Sequence, residues 1–316
     1  MGKNRILITG GAGFIGSFLI EGLIARGDNV VCVDDLSSGL FSNMPESDKL
    51  HFINKSVQEM DIDELLKIDG IFHLAAQASV PKSIDDFYNS SANNLLGTLK
   101  VFNWAEKRNI PVVYASSSAV YGNLPVGDDT MDEFDIISPY AQDKLTMEHY
   151  ASMVWKVYKI PSIGLRFFNV YGPRQDPTNP YSGVISIFID RLLKNMPVTV
   201  NGGYQTRDFI YVSDIVNVLL KSMNILHESP LCKVFNVGTG KSVTINDLLL
   251  TLKKITKTEP AVIKKKLPLG DPERSSGTYE KLEMILKTDI NCFTSLDSGL
   301  LDTVKYYQLI QEGCSE

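Results

Sequence analysis

Apolar residues fall in two kinds of stretch along the first half of the chain. Short runs such as Ile6-Leu7-Ile8 and Val30-Val31-Cys32-Val33 are apolar without alternation. That is expected of strands covered on both faces. The pattern predicts strands over Arg5 to Thr9, Asn29 to Asp34, Gly70 to Ala75, Pro111 to Ser116 and Ser162 to Asn169. Helical stretches separate them, over Phe14 to Arg26, Asn93 to Arg108 and Ala141 to Tyr158. Such alternation implies an α/β fold, a doubly wound parallel sheet with helices on both faces.

After Asn169 the texture changes. Gly172 to Gly183 holds three prolines and reads as a loop, Val212 to Met223 as a helix, and Val234 to Val237 as a short strand. Pro260, Pro268 and Pro272 break up the last third. The expected division is a first domain over residues 1–170, with a returning segment at about 208–237, and a smaller mixed α/β lobe from 171–207 and 238–316.

Composition narrows the function class. The 316 residues are 44% hydrophobic and 22% charged, enough for a sizeable core. The net charge is -6 with both signs interspersed, so no nucleic-acid partner is expected. Lys264 to Lys266 is too short to change that and reads as a solvated stretch. Cys32, Cys232, Cys292 and Cys314 are scattered without metal-ligand spacing, and Cys32 reads as a buried free thiol. The chain begins directly on a strand, and no apolar stretch reaches the length of a bilayer. The expectation is a cytoplasmic enzyme with no metal and no membrane partner.

The first chemical signal is Thr9-Gly10-Gly11-Ala12-Gly13-Phe14-Ile15-Gly16, between a predicted strand and a predicted helix. Glycine suits a tight turn that a pyrophosphate must approach closely, and the helix start offers free N–H groups and a positive dipole end. Asp34 ends the next strand, where a carboxylate accepts hydrogen bonds from both ribose hydroxyls. It would repel a 2′-phosphate, and Asp35 and Leu36, not an arginine, follow it. NAD is therefore the expected cofactor, on a Rossmann-type domain.

The second signal is Tyr140 and Lys144, four residues apart on one helix face. An ammonium beside a phenol lowers its pKa from about 10, making a base for a sugar hydroxyl. The run Tyr114 to Gly122 adds small polar residues at the end of a buried strand, where open α/β sheets bind ligands. A serine there can hydrogen-bond an oxygen that changes between alcohol and ketone.

Together with HLAAQASV (His73 to Val80), NNLLGT (Asn93 to Thr98), SSSAVYG, YAQDK, RFFNVYGPR (Arg166 to Arg174) and RDFIYVSDI (Arg207 to Ile215), the glycine motif makes a set of seven. In that order they resemble the extended short-chain dehydrogenase/reductases of the nucleotide-sugar epimerase and dehydratase branch. The resemblance implies Ser117, Tyr140 and Lys144 as the catalytic set. For the cofactor it implies Gly10, Gly13, Phe14, Ile15, Gly16, Asp34 and Ser38, then Val57, Leu74, Ala75, Ala76, Asn94 and Ser116, with Tyr140 and Lys144 also in contact.

The resemblance also separates branches. The dehydratases follow the catalytic serine or threonine with an Asp-Glu pair, and the decarboxylases place a Glu before the VYG. Here Ser118 and Ala119 stand at those positions. The implied activity is reversible C4 epimerisation of a UDP-sugar, UDP-Glc/UDP-Gal or the N-acetylated pair, through a 4-keto sugar with NAD retained. A UDP-glucuronate 4-epimerase, a nucleotide-4-keto-sugar reductase and a non-enzymatic dinucleotide sensor are the alternatives. For the substrate it implies Ser79, Ser117, Ser118, Asn169, Val184, Arg207, Asp271 and Ser275. Ser275, small where related epimerases carry a residue beside the sugar C2, leaves room for an N-acetyl group. The usual arginine before the late Gly270-Asp271 pair is replaced by Pro268, and Arg274 is expected to substitute. Arg207 also admits a structural reading as one half of a salt bridge. Ser56-Val57 stands where the family has Asp-Ile. A homodimer through the helices from Asn93 and Ala141 is implied too. Leu99, Phe102, Met147 and Met153 are its candidate contacts, though they suit a core equally well.

Overall fold

The computed structural model describes residues 4–178, 183–268 and 271–313. Gly270 and Cys314 lie outside them. The chain opens with β1 (Arg5–Thr9), α1 (Phe14–Arg26), β2 (Asn29–Asp34), β3 (Leu50–Asn54) and β4 (Gly70–His73). Next come α2 (Val80–Asp85), α3 (Phe87–Arg108), β5 (Val112–Ser117), α4 (Pro139–Tyr158) and β6 (Ser162–Phe167). The remainder holds β7 (Asn169–Tyr171), α5 (Val184–Leu193), β8 (Val198–Asn201), β9 (Thr206–Tyr211), α6 (Val212–Glu228) and β10 (Cys232–Val237). It closes with β11 (Ser242–Thr244), α7 (Ile245–Thr256), β12 (Val262–Lys265), α8 (Glu280–Leu286) and α9 (Leu296–Gly313).

Seven strands form one sheet in the order β10-β6-β5-β4-β1-β2-β3, with β3, β2, β1, β4 and β5 paired in parallel. This is the Rossmann-type sheet expected from the sequence. The strand order turns back on either side of β1, the switch point at which such sheets bind dinucleotides. In register, Thr9 lies beside Val33 and His73, and His73 beside Tyr114. Thr9, Asp34, His73 and Ser117 therefore end four strands on one carboxyl edge.

Two compact units divide the chain. The first comprises the residues up to Val120, Ser138–Arg166 and Ile215–Phe235; the second comprises Tyr121–Ile137, Phe167–Asp214 and the residues from Asn236 onward. In the first, Leu7, Val31, Ile71 and Val112 of the sheet pack against Phe102, Trp104, Met147 and Ala151 of α3 and α4. Phe102 and Met147 are thus core residues, 3% and 2% exposed, and leave the list of candidate dimer contacts. Cys32 is buried and free, as expected. In the second, β9 pairs with β7 and β11 in a three-stranded sheet, and β8 with β12. Its core joins α5, α7 and α9 through Phe188, Ile189, Leu248, Leu252 and Val304.

Several boundaries differ from the sequence reading for physical reasons. The strand from Ser162 stops at Phe167, and Asn169–Tyr171 joins the other sheet. Helix α3 starts six residues early, at Phe87, because the Asp86 side chain caps it by accepting from the Asn89 N–H. Helix α4 starts at Pro139, with Ser138 accepting from the Ala141 N–H. Among the described residues no helix is long and apolar enough to cross a membrane.

Candidate functional site

The glycine loop joins β1 to α1 with no room for side chains on its inner side. Gly10 has φ +75°, and a Cβ there would lie 2.6 Å from the Ala75 nitrogen. A Cβ on Gly16 would lie 2.2 Å from the Gly10 carbonyl oxygen. Gly13 differs. It caps α1 in an extended conformation, and a Cβ there would meet only the Gly10 oxygen, at 3.3 Å. The loop is therefore packed behind and open in front, where the first-turn N–H groups of Phe14 and Ile15 have no partner within the helix.

Asp34 braces this loop. One carboxylate oxygen accepts from the Ala12 N–H at 3.0 Å and the other from the Leu36 N–H at 2.9 Å. Burial raises its pKa, and these two bonds pull it back. The Ala12 carbonyl accepts from the Leu40 N–H and the Asn43 amide. Each carboxylate oxygen keeps a further lone pair for a ribose hydroxyl. An open helix start beside a buried carboxylate fits NAD, and Asp35 and Leu36, which follow that carboxylate, offer no cation to a 2′-phosphate. Leu74, Ala75 and Ala76 follow β4 half-buried, Val57 is buried, and Ser38 is exposed.

His73, at the end of β4, ties this region together in one tautomer. The Thr98 hydroxyl donates to the Asn94 carbonyl, so it can only accept from His73 Nε2, 3.2 Å away. His73 Nδ1 is then the acceptor of the Thr9 hydroxyl, at 2.7 Å. The Asn94 side chain continues the chain to the Gln77 backbone and to Asp143 of α4. Burial, with Lys144 as the lesser cause, lowers the His73 pKa to about 3. The unfolded chain binds this proton near pH 6.5, so the folded state loses stability as pH falls from there toward 3. The expected slope is about 1.4 kcal/mol per pH unit from this residue. Denaturant midpoints at pH 7 and pH 5 check it: His73→Gln should flatten the difference, and an unchanged difference would refute it.

Ser117 ends β5, and Ser118 and Ala119 enter a short turn directly after it. The Ser117 hydroxyl accepts from the Ala119 N–H at 3.1 Å. Tyr140 and Lys144 occupy the first two turns of α4. The Tyr140 N–H donates to the Ser83 hydroxyl, and Lys144 Nζ sits 5.7 Å from the phenol ring centroid. Lys144 donates to the Ala115 carbonyl at 2.7 Å. The phenol pKa is raised, not lowered: burial is the largest cause, a hydrogen bond with Ser117 opposes it, and Asp143 adds to it. Burial lowers the lysine to about 8, against the pull of Asp143 and Glu148. The Ser116 hydroxyl donates to the Glu148 carboxylate.

The other candidates divide between the units. In the first, Ser79 caps α2, accepting from the Lys82 N–H. In the second, Asn169 donates its amide to the Asp208 carbonyl at 3.0 Å and the Ser275 hydroxyl at 3.3 Å. Arg207 pairs with Asp271 and donates to the Thr206 carbonyl. Its neighbour Asp208 is not its partner. That buried carboxylate accepts from Thr239, Gly240 and the Tyr279 hydroxyl. Val184 begins α5, and Arg274 is exposed. His73, Asp143, Glu148 and Arg166 escaped the sequence reading as site residues. The signal was there in Glu148, a carboxylate one turn beyond Lys144 on the same helix face.

The model of the NAD dependent epimerase/dehydratase family matches residues 6–238. The chain belongs to that family, and its cofactor is NAD. A UDP-glucose 4-epimerase of Mycolicibacterium smegmatis is 37% identical over 254 residues, covering 77% of this chain and 80% of the relative. The crystal structure of Thermotoga maritima UDP-glucose 4-epimerase with UDP-glucose superposes with a TM-score of 0.90 at 34% identity, covering 97% and 99% of the two chains. A UDP-N-acetylglucosamine 4-epimerase of Methanobrevibacter ruminantium, in complex with UDP-N-acetylmuramic acid, gives 0.89 at 34% identity, over 98% and 100%.

Proposed function

We propose that the protein is a UDP-sugar 4-epimerase, interconverting UDP-Glc with UDP-Gal, UDP-GlcNAc with UDP-GalNAc, or both. The observation that carries this reading is Ser117, Tyr140 and Lys144 gathered at the end of β5 and the start of α4, with no carboxylate at Ser118 or Ala119. NAD, when bound, supplies reversible oxidation of the sugar at C4. Tyr140 takes the proton of the 4-hydroxyl and returns it, while Ser117 hydrogen-bonds the same oxygen. Lys144 stabilises the ionised phenol by its charge. Without an acid beside Ser117, nothing there protonates a leaving hydroxyl, which disfavours dehydration.

Asn169 and Arg207 are proposed to bind the diphosphate. Arg207 must then exchange Asp271 for phosphate oxygens, a change its planar fork allows. Ser275 leaves space at the sugar C2. The test is an NMR assay of the purified protein with UDP-, dTDP- and GDP-sugars. UDP-sugars inverted at C4 with no added cofactor are expected. A dehydrated product, or a requirement for NADPH, would overturn the reading.

We also propose a homodimer through α3 and α4. Tyr150, Met153 and Val157 form an exposed stripe on α4, and Leu96 is exposed on α3. Sedimentation at micromolar concentration should show a dimer, and a monomer would reject it.

A further inference from the structure

Behind the lysine of the proposed catalytic set lies a buried ion pair that the reaction scheme leaves unused. Glu148 sits one turn beyond Lys144 on α4, and Arg166 faces it from β6. The guanidinium grips the carboxylate twice, Nε to Oε1 at 2.9 Å and Nη2 to Oε2 at 2.6 Å. Both side chains are about 5% exposed. Such a pair is weak evidence for stability, because desolvating two charges offsets most of their attraction. Its third contact is more informative. Glu148 Oε1 also accepts from the Ser116 hydroxyl at 2.5 Å. Ser116 stands between Ala115, whose carbonyl receives the Lys144 ammonium, and Ser117.

We propose that Glu148, held by Arg166, is a positioning residue for Lys144 and Ser117: through Ser116 it fixes the end of β5, and its charge favours the ammonium. The proposal rests on the reading of Ser117, Tyr140 and Lys144 given above. The charged and titratable groups around the pair are Lys144 and Asp143 on α4, Tyr114 on β5 and Cys232 on β10. His73 on β4 feels Lys144 in turn. With the pair itself included, Asp143 and Glu148 balance Lys144 and Arg166 in charge, so removing the Glu148 carboxylate changes the field at Lys144 directly. Glu148 is one of the two groups that raise the lysine pKa against its burial.

The test is Glu148→Gln in the protein as purified with its NAD. Carbon-13 NMR of Lys144 Cε, assigned with Lys144→Arg, should show its titration midpoint displaced to lower pH by roughly half a unit or more. The limb of the kcat profile set by the Tyr140–Lys144 pair should move the same way. kcat should fall about tenfold with little change in KM, because the ammonium acts in the transition state more than in binding. Glu148→Asp, which keeps the charge, should recover most of the midpoint. A folded Glu148→Gln protein with the lysine titration unmoved would overturn the proposal. If loss of the Glu148 carboxylate prevents folding, the double variant Glu148→Met/Arg166→Met removes both charges of the pair and is read in the same way. A smaller downward shift is expected there, and none would again overturn it. Should the wild-type chain epimerise no UDP-sugar, the function reading falls while the Lys144 titration still decides this one.

Discussion

Tyr140→Phe should lower epimerisation by about 10²–10⁴-fold while NAD stays bound. The substitution removes one oxygen and keeps the ring, and the backbone N–H that reaches Ser83 is untouched. The cofactor elements at Gly10 to Gly16 and Asp34 lie on other segments. Rate on a UDP-sugar and NAD released on denaturation are the two measurements, and a near-normal rate would show that another group is the base. The wild-type pH profile should have its own form. Burial raises the phenol, while the lysine is lowered to about 8. The pair therefore loses its first proton near 8, and the phenolate–ammonium form is one arrangement of that singly protonated state. Activity should rise as pH passes through that region and decline only at higher pH.

Gly16→Ala and Gly13→Ala should both empty the protein of NAD, for opposite reasons. At Gly16 the added methyl meets the backbone of Gly10 and Gly11, which cannot swing aside. The loop must open, with a stability loss of about 1–3 kcal/mol. At Gly13 the methyl meets only the Gly10 carbonyl oxygen, at 3.3 Å. A shift of a few tenths of an ångström accommodates it, so stability should fall much less, but the methyl occupies the face left for the pyrophosphate. Thermal melting and NAD content together check the pair. If Gly13→Ala keeps its NAD, the open side of the loop is not where the phosphates lie.

The parallel sheet was legible because its central strands are buried on both faces, and the ILIT and VVCV runs state that directly. β3 was not, since its residues are half-exposed at the sheet's edge and carry little pattern. The first turns of α3 were hidden by Phe87 and Tyr88, apolar residues that the fold leaves exposed. Of the candidate site, spacing disclosed what is local: the glycines, Asp34, and Tyr140 with Lys144. It could not disclose that the Ala115 carbonyl takes the ammonium, or that Ser116 donates to Glu148. Those depend on β5 and α4 meeting in space. The lowered phenol pKa expected from lysine proximity also failed, because proximity is readable from i, i+4 spacing and desolvation is not.

The two backbone bonds accepted by Asp34 bear on how this enzyme could change its coenzyme over generations of mutation, or in the hands of an engineer. A preference for the phosphorylated dinucleotide requires the carboxylate to go. Yet that carboxylate also latches Ala12 and Leu36, two donors that both need an acceptor. Asparagine would turn an amide donor toward one of them, and alanine would release both. The route to NADPH is therefore closed to single steps at this position. It needs a partner change that re-anchors the glycine loop first, so the chain's commitment to NAD is entrenched by folding as much as by recognition.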